Sequence, residues 1–166
     1  MQNEVMFIKD NNVGIITLNR PDRLNALTYS MVEQISETLS LWETDNNISC
    51  VIIEGAGDRS FCAGGDVVKL RKEVLADGGP PTDLSRAFFY DEYTLNYKIS
   101  NYKKPFISLI NGYTMGGGVG VSMHGSHIVG SEKTLFAMPE TAIGLFPDVG
   151  GGWLLGQLDS GIGAWL

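Results

Sequence analysis

The chain has 166 residues, enough for one domain with its own core. Its 43% hydrophobic and 19% charged residues are an ordinary globular balance that argues against disorder. A net charge of −7 argues against a nucleic-acid surface, which needs clustered Lys and Arg, and no apolar run is long enough to span a membrane.

Two features of the composition bear on setting. Cys50 and Cys62 are too few for a disulfide framework and suit a reducing compartment. The first ten residues, Met1 to Asp10, lack the basic-then-apolar pattern of a signal peptide and the Arg/Ser-rich look of a transit peptide. The expected location is a bacterial cytoplasm, or a mitochondrial matrix if a presequence has been removed.

Val5 to Ile8 and Val13 to Leu18 read as two strands around Asp10-Asn11-Asn12, a hairpin signal looser than a strict two-residue turn. Asn19-Arg20-Pro21-Asp22 breaks the second strand. Ser30 with Glu33 fits a capping box, with Thr28 as the rival N-cap. Met31, Ile35, Leu39 and Trp42 then form the apolar stripe of a helix from about Ser30 to Glu43. Cys50 to Ile53 reads as a buried strand, ended by Gly55 to Gly57. Asp66 is placed to cap a helix beginning at Val67. Ala76 to Pro81 is a Gly/Pro loop, and a second long helix is expected over 84–101. Pro105 starts the strand Phe106 to Ile110. A glycine turn at Met115 to Gly118 precedes a short helix from Val119 to about His124. Ile128-Val129 and Thr134 to Ala137 read as further strands, before a Gly/Pro-rich segment from Met138 to Gly152. Strands alternating with helices give an α/β class with a largely parallel sheet, read as a single unit over residues 1–166.

Glycine is the outlier, with 21 residues, many in tight runs. Two glycine-bearing turns each follow a strand and precede a helix: Phe61 to Asp66, and Asn111 to Gly118. A free N–H at the first turn of a helix is a donor backed by a positive dipole end, and two converging on one point would stabilise an oxyanion. Taken singly, each is as readily a tight structural turn. A second feature is a pair of carboxylates, Glu140 and Asp148, flanked by Ile143, Leu145, Phe146 and Val149. Desolvation would make them useful acids or bases near neutral pH. Spacing alone equally allows two solvated acids on an exposed loop. His124 and His127 have i, i+3 spacing but no evident third ligand, so no metal is expected. Cys62 has no histidine placed to activate it and reads as a small buried thiol. Gly118 to Met123 lacks the last glycine of G-x-G-x-x-G, and no P-loop is present.

Taken together, these motifs resemble the crotonase (enoyl-CoA hydratase/isomerase) superfamily. Thr17 to Pro21 with Leu24 to Leu27 is similar to its CoA-approach segment, Phe61 to Asp66 to its first oxyanion turn, and Lys104 through Gly118 to the strand and turn of its second. The stretch Phe136 to Gly151 resembles the branch that hydrolyses 3-hydroxyisobutyryl-CoA nearly letter for letter.

The resemblance implies a crotonase-like α/β fold, a ββα spiral core, within a pattern that continues through a helical C-terminal region beyond Leu166. It implies an acyl-CoA substrate whose carbonyl lies between the backbone N–H groups of Gly65 and Gly117. CoA and substrate contacts would come from Asp22, Arg23, Leu24, Ala63, Gly64, Asp66 and Gly116. Glu140 and Asp148 would be the catalytic pair, with no cofactor beyond the CoA of the substrate. Hydratases of the family carry a glutamate where this chain has Gly120, so hydrolysis of a short 3-hydroxyacyl-CoA is expected. Enoyl-CoA hydratase/isomerase chemistry, of which isomerisation needs only one carboxylate, and a non-catalytic structural role are the alternatives, and self-association is left open. No nucleic-acid or membrane partner is expected.

Overall fold

The computed structural model describes residues 3–79 and 82–165. Strands β1 (Val5–Asp10) and β2 (Val13–Leu18) pair antiparallel, from Asp10↔Val13 to Val5↔Leu18. Their connection is therefore a strict two-residue turn, tighter than the sequence suggested. Asn11 takes φ 50°, a conformation asparagine tolerates better than most side chains, and this lets β1 continue past Ile8 to Asp10.

The remaining strands of the main sheet are parallel: β3 (Cys50–Gly55) on β2, β5 (Phe106–Ile110) on β3, and β7 (His127–Gly130) on β5. The order is β1-β2-β3-β5-β7. A second, wholly parallel sheet of three short strands has the order β4-β6-β8, from β4 (Ser60–Cys62), β6 (Tyr113–Met115) and β8 (Leu135–Ala137). Sequence patterning assigned β4 and β6 to glycine turns, because three residues are too few to display a period of two.

Helix α1 (Tyr29–Thr44) begins one residue before Ser30. Thr28, in extended backbone at φ −91° and ψ 161°, accepts the Met31 N–H. Ser30 lies inside the first turn, so Thr28 rather than Ser30 is the cap. The predicted stripe is buried: Met31, Ile35, Leu39 and Trp42, with Val32 beside them. It packs on the sheet residues Ile16, Leu18, Val51, Ile53 and Phe106 in one core. Each fully buried aliphatic side chain there contributes about 1.5–3 kcal/mol.

Helix α2 (Val67–Ala76) starts where Asp66 caps it, its carboxylate accepting the Lys69 N–H. The expected 76–81 loop is a turn through Gly79, and Pro80 and Pro81 lie outside the described residues. Helix α3 (Asp83–Ser100) opens with a Thr82–Ser85 capping box and buries Phe88, Glu92, Leu95, Asn96 and Ile99. Helix α4 (Gly117–Ser122) is buried along its whole length; it begins two residues before Val119 and ends before His124. Helix α5 (Gly151–Gly156) follows the Gly/Pro-rich segment.

Candidate active site

The small sheet brings the two glycine turns together. β4 and β6 are hydrogen-bonded neighbours, so the chains leaving their C-terminal ends run side by side. Gly64 (φ 105°) and Gly116 (φ 48°) take positive-φ backbone that a side chain would strain. The N–H groups of Gly65 and Gly117 find no acceptor among the described residues. A Cβ built on Gly117 would lie 3.2 Å from Gly65 N. Two free donors thus lie side by side at one cavity. Their origins differ from the expectation of two helix termini. Gly117 is the first residue of α4. Gly65 instead precedes the Asp66 cap, in a parallel bridge with Leu27 built from Leu27 N–H→Gly64 O and Asp66 N–H→Leu27 O.

The carboxylates are not solvated loop acids. Glu140 opens a 3-10 turn (Glu140–Ile143) after Pro139, and Asp148 sits in the following turn; each is 7% exposed. Both line a cavity of about 260 Å³ shared with Ala63, Gly64, Gly65, Gly116 and Gly117 and with apolar Phe88 and Leu145. A Cβ on Gly116 would lie 2.7 Å from Glu140 Oε1. A larger, more open groove of about 780 Å³ shares Asp148 but neither free N–H, so the smaller cavity is the candidate site.

The structure adds a third acid. Glu92 on α3 is 2% exposed and lines the same cavity, its Oε1 so close to Gly117 that a Cβ there would collide with it. Sequence reasoning missed it, although a signal existed: Phe88, Glu92, Leu95 and Ile99 recur at helical spacing, which places one acid in an otherwise apolar stripe. Tyr93, the next residue, donates its hydroxyl to Asp148 Oδ2 at 2.7 Å.

Three buried acids around one pocket cannot all be charged cheaply, and among the described residues no cation pairs with any of them. Burial, then the charges of Asp148 and Glu140, push Glu92 up to about 8, so it is neutral at neutral pH. Burial also raises Glu140, with Asp148 adding to the effect against its own backbone N–H. Glu92 Oε1 and Glu140 Oε2 have no hydrogen-bond partner among the described residues. Unpaired buried oxygens of this kind are costly in a fold and are common where a substrate will supply the partner.

Gly65 also borders a second cleft, about 390 Å³, lined by Arg20, Arg23, Lys69 and Lys72. An anionic group would be favoured there, beside the acid-lined cavity. Of the expected CoA contacts, Arg23 lines this cleft and Asp22 is exposed beside it in a 3-10 turn. Leu24 has its N–H bonded to Pro21 O and its carbonyl accepting from Ala63 N–H and Ser60 Oγ. Asp66 is committed to capping α2 and to an ion pair with Arg20 at 2.8 Å. Burial acts to raise its carboxyl, but the Arg20 and Lys69 contacts outweigh this and hold it below the usual range.

Cys62 is buried, and burial pushes its thiol up to about 12, which makes it a poor nucleophile. His124 Nε2 lies 2.6 Å from Val149 O, and His127 Nδ1 contacts Ser126 Oγ, so each ring is used within the fold. Among the described residues no group of three His, Cys, Asp or Glu side chains is placed to hold a metal ion.

A model of the enoyl-CoA hydratase/isomerase family matches residues 13–166. The chain is 52% identical over 164 residues to a mitochondrial 3-hydroxyisobutyryl-CoA hydrolase of Danio rerio, covering 98% of this chain and 42% of the relative. It is 49% identical over 163 residues to the Homo sapiens protein of the same name, covering 98% and 41%. The chain thus spans about two fifths of the length of these curated relatives. A solved enoyl-CoA hydratase of Rhodobacter sphaeroides 2.4.1 superposes with a TM-score of 0.93 at 42% identity, over 99% of this chain and 48% of that one. A carnitinyl-CoA dehydratase of Mycobacterium thermoresistibile superposes with a TM-score of 0.91 at 44% identity, over 98% and 46%. The crotonase-like fold implied by the sequence resemblance is the fold observed.

Proposed function

The chain belongs to the enoyl-CoA hydratase/isomerase family, and from that premise we propose that it forms the thioester-binding and catalytic part of a 3-hydroxyisobutyryl-CoA hydrolase. The observation that carries the reading is the single cavity in which Glu140 and Asp148 are buried beside the free N–H groups of Gly65 and Gly117. The curated relatives are named mitochondrial 3-hydroxyisobutyryl-CoA hydrolases, and a mitochondrial matrix setting and a place in the breakdown of valine belong to the same proposal.

In this reading the thioester carbonyl oxygen sits between Gly65 N–H and Gly117 N–H, and the anionic CoA end lies toward Arg23, Lys69 and Lys72. Glu140 either takes a proton from the attacking water or attacks the carbonyl carbon itself. Its raised basicity, a consequence of burial, suits both roles. The carbonyl becomes a tetrahedral oxyanion held by the two donors, the C–S bond breaks, and the CoA thiolate leaves. Where Glu140 is the base, the thiolate takes up the proton that the water gave to Glu140. Where Glu140 is the nucleophile, the acyl group stays on it as an anhydride, which water splits to the hydroxy acid and the free carboxylate, the released proton going to the thiolate. Asp148 orients the substrate hydroxyl, the water or the departing sulfur. Neutral Glu92, against Gly117, adds no negative charge beside the oxyanion. Losing one donor of an oxyanion hole typically costs about 10²–10³ in rate.

Hydration is disfavoured by packing as well as by the missing carboxylate. A Cβ at Gly120 would lie 2.7 Å from Asn96 Nδ2 and 2.8 Å from Val149 Cβ, so the space a second glutamate would need is filled. Free CoA release from 3-hydroxyisobutyryl-CoA, followed with a thiol reagent beside crotonyl-CoA hydration, tests the assignment on this chain and on one extended to the relatives' length. Thiol release without hydration is expected. Hydration without thiol release would return the chain to hydratase chemistry.

A further inference from the structure

Asp148 is held in place by residues outside its own loop. It lies in a turn, not in a helix or strand, yet it is buried. The next residue, Val149, has φ 46°, and Gly150 follows with φ 79°. Left-handed backbone at a β-branched residue is a genuine outlier, which persists only where the surroundings over-determine it. Two side chains supply that constraint here. Tyr93 of α3 donates to Asp148 Oδ2 at 2.7 Å, while Oδ1 makes no hydrogen bond among the described residues. His124, just beyond α4, places Nε2 2.6 Å from Val149 O. The imidazole also covers Gly150 so closely that a Cβ there would lie 2.7 Å from His124 Cε1.

We propose that Tyr93 and His124 are positioning residues that clamp the Asp148–Val149 turn, fixing one carboxylate oxygen and leaving the other for the reaction. The proposal rests on the reading of Asp148 as a catalytic residue. The clamp also links two parts of the site. Gly117, which offers one of the free N–H donors, opens α4, and His124 lies two residues past the end of that helix. The position of the donor and that of the acid are therefore set from one short, buried element. Tyr93 in turn follows Glu92 on α3. A misplacement of about 1 Å at such a carboxylate can cost on the order of 10²-fold in rate without loss of binding.

The test is the split between kcat and KM in thiol release. Tyr93→Phe removes only the hydroxyl. It should lower kcat by about 10- to 100-fold with KM little changed, and the variant should unfold at a temperature near that of the parent. His124→Leu should do the same, and His124→Gln, whose amide N–H stands close to the place of Nε2, should recover most of the loss. Parental kcat in Tyr93→Phe, or equal losses in the Leu and Gln variants, would overturn the clamp. A second readout does not depend on turnover. With 3-fluorotyrosine at position 93, the ¹⁹F titration should show a phenol held above that of free 3-fluorotyrosine, first by burial and then by Asp148, with Glu92 and Glu140 also facing it. Asp148→Asn should bring the midpoint down, and an unmoved midpoint would contradict the contact. If the parent releases no thiol, the hydrolase assignment falls, and the ¹⁹F titration still decides the clamp.

Discussion

At Gly117 the absence of a side chain is a requirement of the site. A methyl there would strike Glu92 Oε1 and crowd Gly65 N. Gly117→Ala should therefore displace one proposed oxyanion donor, and thiol release should fall about 10²–10³-fold while CoA-ester binding persists, which isothermal titration beside turnover would separate. Glu92 supports a prediction about stability. Its carboxyl is ordinary in the unfolded chain, near 4.5, and near 8 in the fold. Between those values the folded state keeps a proton that the unfolded state has released, so stability falls as pH rises through the window and levels off above it. Chemical denaturation from pH 4 to 9 should show that decline, and Glu92→Gln should flatten it. An unchanged slope in the variant would place the proton elsewhere. Gly120→Glu offers the complementary case. Asn96 and Val149 fill the space above Gly120, so the new acid should disturb the Asp148 turn and confer no crotonyl-CoA hydration, measured by loss of enoyl absorbance.

Among the elements, the helices were more legible than the strands. The α1 stripe was readable because four apolar residues recur at helical spacing, and the structure buries all four. Its start was misread. Ser30 and Glu33 satisfy the pattern of a capping box, but the residue with extended backbone is Thr28. Thr28→Ala should cost about 1 kcal/mol of stability and Ser30→Ala close to nothing, which urea unfolding can distinguish. β4 and β6 escaped notice because three-residue strands carry no readable period, yet they are the elements that set the two glycine turns side by side. Motif resemblance singled out Gly65 and Gly117 as candidates without revealing that a small sheet sets their turns side by side. Glu92 showed only as an acid in the apolar stripe of α3, and nothing in the sequence tied it or Tyr93 to the site. Both sit on α3, far in sequence from the glycine turns and from the Glu140–Asp148 segment, and only the packing of α3 against α4 brings Glu92 to the cavity and Tyr93 to Asp148.

Across the whole molecule, the main sheet and α1 share one core with Phe61 and Cys62 of β4, Leu95 and Ile99 of α3 and Val121 of α4, and the turns leaving the small sheet reach the cavity together with α3 and α4. The sequence could indicate the core through periodicity and the site only through resemblance, because the site is assembled from segments far apart in the chain, Gly65 and Asp148 being 83 positions apart. The acid-lined cavity and the basic cleft meet at Gly65, an arrangement suited to a ligand with an apolar acyl end and an anionic handle. The measurement that bears most directly on the proposed function is CoA release from 3-hydroxyisobutyryl-CoA by the chain extended to the relatives' length, compared with its Glu140→Gln variant. The account predicts steady thiol release by the parent, and in the variant a fall of at least about 10²-fold, of the order that losing a group used in the transition state produces, with the thioester still bound. Full turnover by Glu140→Gln would contradict it, since the buried glutamate beside the two free N–H groups would then have no part in the chemistry.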